Sequence, residues 1–221
     1  MVGKMPIKKF FCSWSGGKDS CYAFIQAAKS MQPQVLLNMM NENGMVSRSH
    51  AIPKAILEKQ AEMLNLPIIT KPASWEAYEN IFIDTLREIK NDFDINAGVF
   101  GDIDLQPHRD WEEKVCRAVD VETVLPIWQL NRKELVFAMI DSGIEAYIVS
   151  CNEVMGERFL GRKITKTLVD ELESMGVDAC GENGEYHTLV VNCSMFSEPL
   201  SINFGVKACH NKYWFIETSL A

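Results

Sequence analysis

The first half of the chain alternates short apolar runs with amphipathic stretches. Ile7–Trp14 carries bulky apolar residues and predicts a strand, and Asp19–Ser30 predicts a helix with Tyr22, Phe24, Ile25 and Ala28 available to a buried face. The alternation continues through a strand at Val35–Met40, a helix at Pro53–Leu66, a strand at Pro67–Thr70 and a helix at Trp75–Lys90. A strand at Ala97–Gly101, a helix at Asp110–Val119 and a strand at Glu122–Leu125 complete it. Ile56, Leu57, Gln60, Met63 and Leu64 keep helical spacing in the second helix, as do Tyr78, Ile81, Phe82, Thr85, Leu86 and Ile89 in the third. Strands spaced by helices predict an α/β fold, a parallel sheet covered on both faces with right-handed crossovers. The length suits a doubly wound, Rossmann-like arrangement.

The pattern changes after Pro126, so a boundary is placed there, dividing the chain into 1–125 and 126–221. Asn131–Ser142 predicts a helix capped by Asn131 and ended by Gly143. Tyr147–Cys151 predicts a strand, and Thr165–Met175 a helix that stops at Gly176. His187–Cys193, Leu200–Ala208 and Lys212–Thr218 are strand-like, with Asn211 placed for a hairpin turn.

Composition narrows the partners. The 221 residues are 47% apolar and 24% charged with a net charge of −8, an ordinary folded chain whose acidity disfavours non-specific nucleic-acid binding. No apolar run approaches the length of a membrane span, and Met1–Lys9 lacks a leader's apolar stretch, so a cytoplasmic protein is expected. Seven scattered cysteines without CxxC spacing predict reduced, mostly buried thiols, and His50, His108, His187 and His210 make no zinc-type spacing with them.

Ser15-Gly16-Gly17-Lys18-Asp19-Ser20 lies between the first predicted strand and the first predicted helix, where an open parallel sheet binds ligands. Glycines let the backbone approach an anion, the helix start presents free N–H groups, and Ser15, Ser20 and Lys18 add donors and charge. Asp19 is placed to cap the helix or to help hold a magnesium ion. The spacing is neither that of a Walker loop nor that of GxGxxG. A second cluster, Gly181-Glu182-Asn183-Gly184-Glu185-Tyr186-His187-Thr188, sets two carboxylates, a phenol and an imidazole before an apolar strand. Such a cluster suits binding magnesium, orienting an amine or moving a proton near neutral pH.

The first motif resembles the pyrophosphate (PP) loop of the N-type ATP pyrophosphatases. Together the two motifs resemble the diphthine–ammonia ligase (diphthamide synthase) family, whose second signature reads Gly-Glu-Gly-Gly-Glu-Tyr-His-Thr. Gly101-Asp102-Ile103 with Arg109 and Glu112 through Cys116, Leu125-Pro126-Ile127-Trp128 and Leu160-Gly161-Arg162 also fit, so the resemblance runs from about Phe10 to Phe196. It implies a Rossmann-like (HUP-type) ATP domain, a second, smaller α/β domain carrying the Glu-Tyr-His cluster, and an active site between them. It also implies the reaction: ATP adenylates the carboxylate of diphthine on elongation factor 2, and ammonia displaces AMP.

On this reading the Ser15–Ser20 loop binds the β and γ phosphates, Lys18 and Asp19 act in catalysis, and Mg2+ sits by Asp19. Asp102 takes an ATP, metal or acceptor role, while Glu182, Glu185 and His187 orient acceptor or ammonia, or accept a proton. Tyr186 is a weaker candidate, and Arg109 and Arg162 are placed either to neutralise phosphate or to sit on the surface. Two departures bear on the acceptor. Asn183 replaces a glycine, and Ser47-Arg48-Ser49-His50 differs from the family's Ser-Tyr-Met-Phe/Tyr-His apart from its histidine. A tRNA-modifying enzyme on the same loop, a nucleotide sensor and an amide ligase with a small-molecule acceptor remain as alternatives. No glutaminase segment is visible, so free ammonia or a separate partner is expected to supply the nitrogen.

Overall fold

The computed structural model describes residues 7–221, so most of Met1–Lys9 lies outside it. Its first sheet is parallel, with β1 (Lys9–Ser13), β2 (Gln32–Met40), β3 (Ile68–Pro72), β4 (Ala97–Val99) and β5 (Glu122–Val124) in the order β3-β2-β1-β4-β5. The interspersed helices are α1 (Lys18–Ala28), α2 (Lys54–Met63), α3 (Tyr78–Phe93) and α4 (Gln106–Arg117). β1 is buried along its centre, Phe10, Phe11 and Cys12 each having no exposed surface, as a strand covered on both faces must be. Phe10 packs with Phe24 of α1 on one face, and Phe11 with Phe82 of α3 on the other.

Strand order reverses between β1 and β4. The connections leaving these two neighbours run to opposite sides of the sheet and open a crevice at their carboxyl ends. The Ser15–Ser20 loop follows β1, and Phe100, Gly101 and Asp102 follow β4. A Cβ on Gly101 would lie 2.7 Å from the Ser20 nitrogen, so only glycine lets this crossing pass so close to the start of α1.

The second sheet is antiparallel, in the order β7-β6-β9-β8: β6 (Glu145–Asn152), β7 (Tyr186–Asn192), β8 (Ile202–His210) and β9 (Tyr213–Leu220). α5 (Arg132–Asp141) and α6 (Lys166–Ser174) pack with it. Asn131 caps α5 by accepting the Glu134 N–H at 3.1 Å, and Gly143 follows the helix with φ +88°. The β8–β9 hairpin turns on Asn211 and Lys212, both with positive φ, as a two-residue turn of this twist requires. One apolar cluster runs through both sheets, joining Phe10, Trp14 and Leu36 to Ile148, Tyr186 and Leu189. Among the described residues no helix is long and apolar enough to cross a membrane.

Two helices differ usefully from expectation. α4 begins four residues before the expected Asp110, because Pro107 in its first turn starts a helix rather than breaking one. α3 begins at Tyr78 rather than Trp75, which leaves the Trp75 ring 72% exposed on the preceding turn.

Candidate functional site

The crevice is a cleft of about 890 Å³. Ser15, Asp19 and Ser20 line one side, Asp102, His108 and Glu112 another, while Glu182 arrives from the turn before β7 and His187 and Thr188 from β7 itself. Ser49, His50, Trp75, Tyr78 and Trp111 close the rim.

The loop after β1 is shaped by its own hydroxyls. The Ser15 and Ser20 oxygens lie 2.9 Å apart, Ser20 Oγ accepts the Ser15 N–H at 3.2 Å, and Ser15 Oγ accepts the Gly17 N–H at 3.2 Å. Gly16 sits at φ +84°, and a Cβ on Gly17 would come within 2.4 Å of the His50 ring, so both positions need glycine. β7 is sewn to this loop: Val190 N–H donates to Gly16 O at 2.9 Å, and the Lys18 N–H donates to Thr188 Oγ1 at 3.1 Å. Gln60, fully buried on α2, completes the seam. Its Oε1 accepts the Trp14 indole N–H at 2.8 Å, and its Nε2 donates to Gly16 O at 3.1 Å and Val190 O at 2.7 Å.

Lys18 and Asp19 divide their roles. The Lys18 ammonium is buried, donating to Cys180 O at 2.5 Å and Asp19 Oδ2 at 2.9 Å with the Tyr186 ring beneath it at 5.0 Å. Burial pulls its pKa down, but Asp19, Tyr186 and Cys180 together outweigh burial and hold it above the ordinary lysine value. The ammonium is therefore withdrawn from the cleft wall, clamping the Cys180 turn to α1. Asp19 caps nothing. Its Oδ1 is buried without a partner at the second residue of α1.

Two imidazoles face each other beside the loop. His50 and His187 have ring centroids 4.6 Å apart, and His50 Nδ1–H donates to Thr188 O at 2.9 Å, which leaves its Nε2 as an acceptor. Burial lowers the pKa of both; His187 is pushed well down, with His50 and Lys18 adding to the effect. Both rings are thus neutral at physiological pH.

Acid gathers on the opposite wall. Asp102 Oδ1 accepts His108 Nδ1 at 2.7 Å. Burial raises the Asp102 pKa, but hydrogen bonds from His108 and Glu112 outweigh it and keep the carboxylate ionised. Glu112 is 3% exposed, and burial followed by the Asp102 contact pushes its pKa up to about 11, so it carries the proton of the pair. Glu112 Oε2 has no partner. Glu182 accepts the Ile103 N–H at 3.2 Å, and burial with the Asp19 charge raises it to about 7. Among the described residues no three His, Cys, Asp or Glu side chains converge on a metal position.

Of the remaining expected residues only Tyr186 touches the cleft. Glu185 is folded back on Asn183, accepting its N–H at 3.0 Å and its side-chain amide at 3.2 Å. Tyr186 is buried and donates to Ala179 O at 2.6 Å, bracing the turn. Arg109 pairs with Glu113 at 2.7 Å, and Arg162 makes a two-pronged pair with Glu171 at 3.0 and 2.6 Å. All seven cysteines are free, six of them buried. Sequence reasoning had no role for Gln60, Thr188 or His108; Gln60 alone left a signal, an amide among the apolar positions of a helix face.

With this geometry in place, the similarities are specific. A sequence model of the diphthamide synthase N-terminal domain matches residues 8–123, and one of the C-terminal domain matches residues 131–220. The chain belongs to the diphthamide synthase family. A diphthine–ammonia ligase of Mus musculus is 25% identical over 89% of this chain and 84% of the relative, and that of Homo sapiens is 24% identical over the same shares. The Schizosaccharomyces pombe diphthine–ammonia ligase is 24% identical over 83% of this chain but 34% of its own length. Membership in the diphthamide synthase family makes the chain a carbon–nitrogen bond-forming ligase. A solved structure titled as a predicted subunit of tRNA methyltransferase from Methanocaldococcus jannaschii aligns at TM-score 0.46 and 16% identity, over 84% of this chain and 98% of that one.

Proposed function

We propose that the protein adenylates the carboxylate of diphthine on elongation factor 2 and lets ammonia displace AMP, yielding the diphthamide amide, AMP and pyrophosphate. The observation that carries this reading is the seam between Gly16 and Val190. It opens the loop after β1 and the imidazole pair onto one cleft. The relatives named as diphthine–ammonia ligases support the acceptor.

A carboxylate resists an amine because oxide is a poor leaving group; adenylation replaces it with AMP and divides one hard step into two. The Ser15 and Ser20 hydroxyls and the Asp19 and Ser20 N–H groups, which the first turn of a helix leaves without intrahelical acceptors, face the pyrophosphate as its charge grows; the Lys18 N–H is taken by Thr188. Lys18 positions Asp19 rather than touching phosphate. The unpartnered Asp19 Oδ1 fits Mg2+, which takes one or two protein carboxylates and completes its shell with phosphate oxygens and water. When bound, Mg2+ would neutralise charge on the triphosphate. In the second step the attacking nitrogen must shed a proton. The neutral His50–His187 pair accepts it, and Glu182 orients the amine. On this reading the unit over 1–125 serves ATP and that over 126–221 supplies the His187 and Glu182 wall.

One observation favours a small-molecule acceptor instead. Arg48 stacks over the Trp75 ring at 4.4 Å with Nε and Nη2 buried and unpaired, donors suited to a second anionic group on the acceptor. A single assay separates the readings: ATP labelled at the α phosphate, ammonium, and either diphthine-bearing elongation factor 2 or small dicarboxylates. AMP, pyrophosphate and an amide on the factor are expected. Intact ATP, or amide only on the small acids, overturns the proposal.

A further inference from the structure

We propose that Asp102, Glu112 and Glu182 form the site that captures the nitrogen donor as ammonium, before it is deprotonated for attack. The inference rests on the ligase reading for its purpose, but its geometry stands apart from that reading.

The deciding feature is Glu112. Its side chain is 3% exposed, it lines the cleft, and its Oε2 accepts no hydrogen bond from the protein. A buried acceptor left unmatched costs stability, more when charge is involved, and a fold keeps such a group where a ligand relieves it. The missing partner is a donor, because an unmatched carboxyl oxygen is an acceptor and the neighbouring Asp102, held ionised, has no hydrogen to give. The Asp102 carboxylate and the second oxygen of Glu182, whose first takes Ile103 N–H, line the same cleft.

The charge arithmetic points the same way. Three carboxyls meet here, and His108 is the one basic side chain in hydrogen-bond contact with them among the described residues. The strain is relieved by Glu112 keeping a proton, pushed up to about 11. A monovalent cation with hydrogens of its own would replace that proton and donate to the orphaned oxygen. Ammonium fits, because its N–H groups match acceptors that are spread rather than convergent. A divalent ion needs closer convergence than these residues give. The aromatic wall adds to the preference: Tyr78 and Trp111, with ring centroids 5.6 Å apart, line the same part of the cleft and favour a cation over a neutral amine.

Thallous ion, a monovalent stand-in for ammonium that scatters anomalously, tests this in crystals of the whole protein. An anomalous peak in contact with Glu112 Oε2, displaced by excess ammonium and lost in Glu112→Gln, is expected. In solution Glu112→Gln should raise KM for ammonium about tenfold or more, one hydrogen bond to a charged partner, while KM for ATP moves by less than about twofold. If Glu112→Gln does not fold, Glu182→Gln provides the same readouts. Absence of the thallous peak, its persistence in the variant, a manganese peak in the same place, or an unmoved ammonium KM overturns the inference. Should no acceptor yield AMP at all, the ligase reading fails, and the thallous peak alone decides whether a monovalent site exists.

Discussion

The two walls of the cleft handle buried polarity in opposite ways. On the loop wall, buried backbone and amide groups are matched within the chain. Gly16 O takes two donors, Gln60 makes three hydrogen bonds, and the Lys18 ammonium is spent on Cys180 and Asp19. On the acid wall Glu112 is buried with one oxygen unmatched, and its proton is kept by that burial first and by its acidic neighbours second. A wall satisfied by the fold holds its shape when empty. A wall left unsatisfied stores electrostatic cost that a ligand can relieve. On the proposed reading, rigidity is thus placed where a leaving group would be met by fixed donors, and unmatched charge where a cation would be drawn in.

The contrast breaks first at Asp19 on the loop wall, whose Oδ1 is not satisfied. Asp19→Ala removes the orphaned Oδ1 and should cut AMP formation by roughly 10²–10³-fold, the range for losing one electrostatic contact to a transition state. It also strips Lys18 of its partner, so thermal melting must accompany the assay. Unchanged AMP release would take α1 out of the chemistry.

The matched side predicts a stability effect next. Gln60→Leu leaves the Trp14 indole and the Val190 carbonyl without their partner and should cost about 2–4 kcal/mol, read as a melting point lower by roughly 5–12 °C. A neutral result would mean that water replaces the amide and the seam is loose.

His187→Ala comes third. Among the described residues its ring has no hydrogen-bond partner, only a tilted contact with His50, so folding and ATP affinity should survive while amide formation slows by about 10²-fold. Loss of folding instead would make the pair a packing device.

Much of this was legible from residue order, for reasons that differ by region. The parallel sheet announces itself because its strands are buried on both faces and its helices on one, so the period of apolar residues changes at each boundary. The Ser15–Ser20 loop is equally visible, since tight approach needs glycine and the residues are consecutive. The seam was hidden because Gln60, Thr188 and Val190 act on a loop far away in sequence, and no local pattern marks that. The same limit explains Lys18: a lysine in a phosphate-type loop reads as a ligand until the Cys180 carbonyl, 162 residues on, is seen to hold it. Glu185 and His187 look equivalent in their motif, yet the start of β7 turns one back onto Asn183 and the other into the cleft.

The smallest effect tests the acid wall without substrate. Glu112 is held protonated in the fold, up to about 11 from 4.5, so above pH 4.5 the unfolded chain gives up a proton that the folded chain keeps. Folded protein then binds more protons than unfolded, and this group's contribution to stability falls as pH rises across that window. The buried imidazoles act with the opposite sign. Their folded pKa values lie below 6.5, so below that pH the unfolded chain takes up protons the folded chain refuses, and stability falls as pH falls. Glu112→Gln removes the first slope and leaves the second, because a glutamine amide can donate to Asp102 as the protonated carboxyl does. The variant should therefore gain on the parent between pH 5 and pH 6 by about 1 kcal/mol, roughly 2–4 °C in melting temperature. Added ammonium should narrow that gap by stabilising only the parent. A pH-independent gap would mean that Glu112 is ionised in the fold, and the difference between the two walls would vanish with it.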